Sequence, residues 1–100
     1  MGDLVRRMVR DCLDALVRSD LEMARRVIGD DDKVDAMNRE MFCILERQMR
    51  LMPDCDEAAI HALSTSRHLE RIADLATNIS EDVIFMVAGA VVRHQPETFE

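Results

Sequence analysis

Arg67-His68-Leu69-Glu70-Arg71-Ile72-Ala73-Asp74-Leu75-Ala76-Thr77-Asn78-Ile79-Ser80-Glu81-Asp82 lies inside a pattern that predicts one long helix. Leu69, Ile72, Ala76, Ile79 and Val83 recur at three- and four-residue steps, the repeat of an α-helix with one buried face. Glu70, Asp74 and Asn78 are each four residues apart. A four-residue step rotates a helical side chain by only about 40°, so these oxygen-bearing groups climb one face. Such a row on an otherwise apolar helix has two explanations, solvation or a metal ion.

Working outward, the same periodicity continues upstream through Ile60 and Leu63 and downstream to Val87. Asp54 with Glu57 has the form of a capping box at its start, and Gly89 is a candidate end or kink. Pro53 ends the preceding helix, which carries Val34, Met37, Met41, Ile44 or Leu45, Gln48 and Met52. Asp30-Asp31-Asp32 is expected to open that helix, where acids accept orphan N–H groups. A first helix is expected from Asp3 to Ile28, with Gly29 as its stop. Short loops force neighbouring helices to be antiparallel. The fold class is therefore all-α, an antiparallel up-down-up three-helix bundle over residues 1–93, with a C-terminal tail over 94–100.

Composition agrees. Nearly half of the 100 residues are hydrophobic, yet only three are aromatic and three are glycine. That mix suits aliphatic helix stripes and leaves too few turns for a β-sandwich. The net charge of −7, from 20 acidic and 13 basic residues, argues against nucleic acid as a partner. The basic cluster Arg6, Arg7, Arg10 reads as a solvated face of the first helix. The longest apolar run, Val83 to Val92, is half of what a bilayer requires, so an integral membrane protein is not expected. That run is apolar all round, and a single bundle cannot bury every side of it. Self-association through it is the expectation. Cys12, Cys43 and Cys55 match no zinc or redox spacing and read as reduced thiols of a cytoplasmic protein, with Cys12 and Cys43 filling core space.

The candidate chemistry is an oxygen-rich patch. Asp31 and Asp35 are spaced D-x-x-x-D, and Glu70 and Asp74 are spaced E-x-x-x-D. In an antiparallel bundle the start of the second helix can lie against the later part of the third. Four carboxylates with Asn78 beside them would repel one another unless a cation were present. Oxygen donors suit Mg²⁺, Mn²⁺, Ca²⁺ or non-haem iron. The competing reading makes Asp30, Asp31 and Asp32 helix caps and pairs Glu70 and Asp74 with Arg67 or Arg71; Asp35 is harder to dismiss as a cap. His61 and His68 do not complete a Glu-x-x-His di-iron signature. No nucleophile–base pairing, Gly-rich phosphate loop or H-E-x-x-H is present, so an enzyme is not expected.

The run from Arg67 to Ile84 closely resembles the signature helix of the PhoU family, R-x-L-E-R-I-x-D-x-A-T-N-I-x-E. Asp31-Asp32-Lys33-Val34-Asp35 is similar to that family's D-x-x-V-D segment at the start of the preceding helix, and Val87-Ala88-Gly89 to its Val-x-Gly ending. The resemblance covers nearly the whole chain. It implies a PhoU-like, spectrin-repeat-like bundle that binds iron, manganese, magnesium or zinc. The matching ligand positions are Asp31, Asp35, Glu70, Asp74 and Asn78. It further implies a non-enzymatic, cytoplasmic regulator of phosphate uptake and phosphate-starvation signalling. The implied partners are a phosphate ABC transporter ATPase subunit, a sensor histidine kinase, and a second copy in a homodimer or higher oligomer. Family members usually carry two three-helix repeats, and this chain carries one, resembling the second. The family often has Gly-Asp-His where this chain has Ala73-Asp74-Leu75. The alternatives from other classes are a metal-dependent enzyme or metal store built on the same carboxylates, and a plain dimerising bundle without metal.

Overall fold

Ser19 sits at φ 53°, ψ 43°, and this left-handed residue ends the first helix. The Asp20 N–H donates back to the Ala15 carbonyl at 3.0 Å, closing the helix end. Asp20 itself is extended, and its side chain accepts from the Met23 N–H at 3.1 Å, so it caps the next helix. A computed structural model describes residues 1–93 and runs α1 Gly2–Arg18, α2 Leu21–Leu51, a 3₁₀ turn Pro53–Cys55, and α3 Asp56–Arg93. The described residues contain three α-helices and no strand, which is the all-α three-helix bundle expected.

The first hinge differs from expectation. The break falls at Ser19-Asp20, not at Gly29, and Gly29 lies helical inside α2. A glycine costs a helix interior about 1 kcal/mol, which weakens a helix without stopping it. The Ser-Asp pair satisfies backbone groups at both ends that meet there, and that settles the boundary. One consequence reaches the site: Asp30, Asp31 and Asp32 are interior residues of α2, not its caps. At the second hinge, Pro53 ends α2 as expected, with Met52 already non-helical. Asp54 lies within the 3₁₀ turn that runs on into α3, so the expected capping box does not form. Gly89 does not end α3, which continues to Arg93.

The core is a seam between the three helices. Val5, Met8 and Cys12 of α1 meet Val27 and Val34 of α2 and Ala73 and Ala76 of α3. Ala15, Ala24 and Val83 close the end near the first hinge. The small residues Ala15, Ala24, Ala73 and Ala76, each nearly or fully buried, let the backbones approach closely. α1 has 17 residues against 31 and 38 in its neighbours, so it reaches about 25 Å where they reach about 46 and 57 Å. The molecule is accordingly elongated, 68 × 24 × 15 Å. Where α1 begins, Ser66 donates to Asn38 across α2 and α3 and lies against the Met1 sulfur. Beyond that level α2 and α3 continue as a bare hairpin, with an apolar groove of about 250 Å³ lined by Phe42, Met49, Ile60 and Leu63.

Cys12 is buried as expected, and burial pushes its thiol above the ordinary value. Cys43 is exposed, contrary to expectation, because it falls on the outer side of α2 next to Glu46 and Arg47. Phe85 and Met86 are exposed at the apolar end of α3, while Val83 is buried and Ile84 and Val87 pack against the first hinge. The tail assigned to 94–100 lies outside the described residues. No helix is long and apolar enough to cross a membrane among the residues described.

Candidate metal centre

Asp31 and Asp35 stand one helical turn apart in the middle of α2, on the side that faces α3. Val34, between them, is fully buried in the core and holds that face in register. On α3, Ala73 is fully buried beside Val34's cluster and places Asp74 at the edge of the same seam. The result is a carboxylate cluster where the two longest helices touch.

Asp31 is the centre of the cluster. Its Oδ1 is buried and has no hydrogen-bond partner. Its carboxyl is pushed up from 3.8 to about 6. Burial is the largest cause; the charges of Asp35 and Asp74 follow, then a hydrogen bond to Asp74 open only to a protonated carboxyl, then the charge of Asp32. Every named neighbour charge is negative. The adjacent Asp30 is treated differently: Arg7 of α1 approaches it at 3.6 Å and Lys33 at 3.4 Å. These two cations are engaged by Asp30, and Asp31 receives no such partner among the described residues.

The other expected ligands are placed less centrally. Glu70 is half-buried one turn before Asp74, and Asn78 is exposed one turn after it. Among the described residues neither Glu70 nor Asp74 forms the ion pair with Arg67 or Arg71 that would have explained it away. His61 and His68 are exposed. Asp32, which no spacing argument selected, adds its charge to Asp31 from the next position.

The donor chemistry fits a hard cation. An orphaned, buried carboxylate oxygen ringed by negative charge lacks what a cation supplies, and all donors are oxygen. The side chains are not closed around a common point: among the described residues no three His, Cys, Asp or Glu groups converge as a metal-holding set. Asp31, Asp35 and Asp74 are thus near enough for the last two to raise the proton affinity of the first, and more open than a coordination sphere.

Known proteins similar in sequence to this chain fall in one family. The model of the PhoU domain matches residues 1–83. A phosphate-specific transport system accessory protein PhoU homolog of Pseudomonas putida is 40% identical over 94% of this chain and 37% of its own length. The protein of the same name from Caulobacter vibrioides is 38% identical over 95% of this chain and 41% of its own length. The chain therefore spans about two-fifths of the length of these relatives. With the family model laid over both acidic segments and all three helices, the chain belongs to the PhoU domain family.

Proposed function

We propose that this chain is a non-enzymatic regulatory module of phosphate uptake, acting in the cytoplasm, whose acidic seam between α2 and α3 takes a divalent or iron cation. The observation that supports the cation is Asp31: a carboxylate held inside a helix pair, short of a partner, with Asp35, Asp74 and Asp32 adding charge of the same sign. A cation at the seam would reverse the repulsion, and Asp31, Asp35 and Asp74 are the groups to hold it, with Glu70 in reserve one turn away. Asn78 is the weakest member of the set: it is exposed, as Asp74 is, but unlike Asp74 it carries no charge and does not act on Asp31. Iron, manganese and magnesium suit these oxygens better than zinc, which favours nitrogen and sulfur.

The regulatory part of the reading follows from the relatives, which are named as accessory proteins of a phosphate-specific transport system. The partners proposed are the ATPase subunit of a phosphate ABC transporter and a sensor histidine kinase, with a second copy of the chain. Two measurements test the two parts separately. Elemental analysis of the purified chain should find metal that is lost in Glu70→Ala/Asp74→Ala; no metal, or equal metal in both, sinks the site. Capture of the transporter ATPase on the immobilised chain should exceed a helical-bundle control; equal capture sinks the regulatory assignment.

A further inference from the structure

Asp35, Phe42 and Met49 follow one another at seven-residue steps along α2, and Ile60, Arg67 and Asp74 do so along α3. Seven residues make almost two full turns, so each series keeps one stripe of its helix. The acidic seam and the apolar groove are therefore two halves of one furrow. Its register is fixed at three levels: Asp31 faces Asp74, Asn38 accepts from Ser66, and Leu45 shares the groove with Ala59. In this antiparallel register Asp35 falls opposite Glu70, and Phe42 opposite Leu63. α1 does not cover the furrow, because Ile72 borders α1 and Asp74, two residues on, lies about 200° round α3.

Charge changes in steps along the furrow. At the loop end Phe42 is 50% exposed and Ile60 59%, and the carboxylate lining the groove there, Glu46, is held by Arg50 at 2.7 Å. About one turn on stand Arg39, seven residues before Glu46, and Arg67, seven after Ile60, both exposed. The next turns bring Asp35 with Glu70, then Asp31 with Asp74. Among the described residues none of these two arginines and four acids forms an ion pair.

We propose that this furrow is the docking site for an amphipathic helix of a separate protein, whose side chains run apolar, then acidic, then basic at about one-turn steps. The inference goes beyond the cation at the seam and does not need it; it rests on the regulatory reading only for the expectation of a protein partner.

Charge complementarity selects this occupant. Apolar side chains fill the gap between Phe42, Met49, Ile60 and Leu63, an acid meets Arg39 and Arg67, and a base meets Asp35 and Glu70. A second copy does not fit: laid parallel it sets acid on acid, and laid antiparallel it sets acid on Phe42 and Leu63. Permanent interfaces are the more apolar kind, and half of this furrow is charged, so its occupant binds and leaves. The uniformly apolar side of the bundle, where Leu13, Ile72 and Leu75 are exposed, is the one that suits a permanent neighbour, including the length of the relatives that this chain does not span.

The test is fluorescence anisotropy of the whole chain, in chelator, with a labelled synthetic helix of about 18 residues. The probe carries Leu at its groove-facing positions, Glu one turn on and Arg on the two turns after that, in an Ala and Gln background. Wild type should bind it with a dissociation constant on the order of 10 μM at about 50 mM salt. Phe42→Glu should weaken binding at least ~10-fold with unchanged helical circular dichroism. Asp35→Asn with Glu70→Gln should weaken it about tenfold and remove most of its salt dependence. Leu75→Glu, on the α1–α3 side, should leave it intact. Probes with Leu changed to Ser, or with Arg changed to Glu, should each bind at least ~10-fold more weakly. No binding up to about 1 mM overturns the proposal. So does equal binding of the probe without Leu, which reports charge attraction alone, or binding indifferent to Phe42→Glu. An oligomer that Phe42→Glu dissociates in sedimentation puts a second copy in the furrow and overturns it as well. ATPase capture by a chain that binds no probe would show that only this proposal had failed.

Discussion

Replacing Asp31 by asparagine should stabilise the metal-free protein at neutral pH. The folded chain raises this carboxyl from 3.8 to about 6, chiefly through burial and then through Asp35 and Asp74. A folded-state value above the unfolded one means that folding opposes ionisation. Above pH 6 the group is ionised in both states, and its full penalty counts against the fold. Between pH 6 and 3.8 the folded state takes a proton that the unfolded state does not, so this contribution to stability improves as pH falls. Below 3.8 both states are protonated and the penalty is gone. Each tenfold change in proton affinity is worth about 1.4 kcal/mol, which would give roughly 3 kcal/mol in full. Asp31 is only half-buried, so solvent screening reduces this to about 1–2 kcal/mol. The substituted amide carries no charge and can donate to Asp35 or Asp74. Urea denaturation in chelator, followed by circular dichroism, should therefore find Asp31→Asn more stable by about 1–2 kcal/mol at pH 7. The gap should close as pH falls from about 6 to 3.8. Manganese at 100 times its dissociation constant should add about 2.7 kcal/mol to the wild type and little to the variant, reversing their order. A variant equal to or weaker than wild type at pH 7 in chelator, or a gap independent of pH, refutes the account of a strained carboxylate.

Three further substitutions probe the fold. Gly29→Ala should stabilise by about 0.5–1 kcal/mol in urea, because Gly29 is helical and an added Cβ meets nothing within 4 Å; destabilisation would restore a helix stop there. Asp20→Ala removes the side-chain acceptor of the Met23 N–H and should cost about 1 kcal/mol, whereas Asp20→Asn should retain most of it. Ser80 is fully buried with an unpartnered hydroxyl, so Ser80→Ala should be neutral or stabilising by up to about 1 kcal/mol, and a loss above that in thermal unfolding would reveal a partner for it.

The helices themselves are legible because a buried face writes its 3.6-residue repeat into any single helix. The first hinge is misread from sequence, because glycine is the stronger stop signal in isolation. Gly29 draws the boundary ten residues from Ser19-Asp20, although Asp20 followed by Glu22 and Met23 is an ordinary cap sequence. Moving the boundary strengthens the site, since it removes the capping explanation for Asp31. Cys43 is misplaced because it lies nine residues after the buried Val34, half a turn around α2 from the core-facing side, beside Glu46 and Arg47.

Helical spacing alone establishes that Asp31 and Asp35 share a face of one helix and that Glu70, Asp74 and Asn78 climb a face of another. It can do no more, since it places a residue on a face and is silent about what lies opposite. Packing supplies the rest. Val34 against Ala73 brings Asp31 toward Asp74, Arg7 and Lys33 are drawn to Asp30, and Asn78 is left in solvent. A carboxylate's proton affinity depends on burial and on charges across the helix interface, so Asp31 takes its place at the centre of the site only once α2 and α3 are in contact.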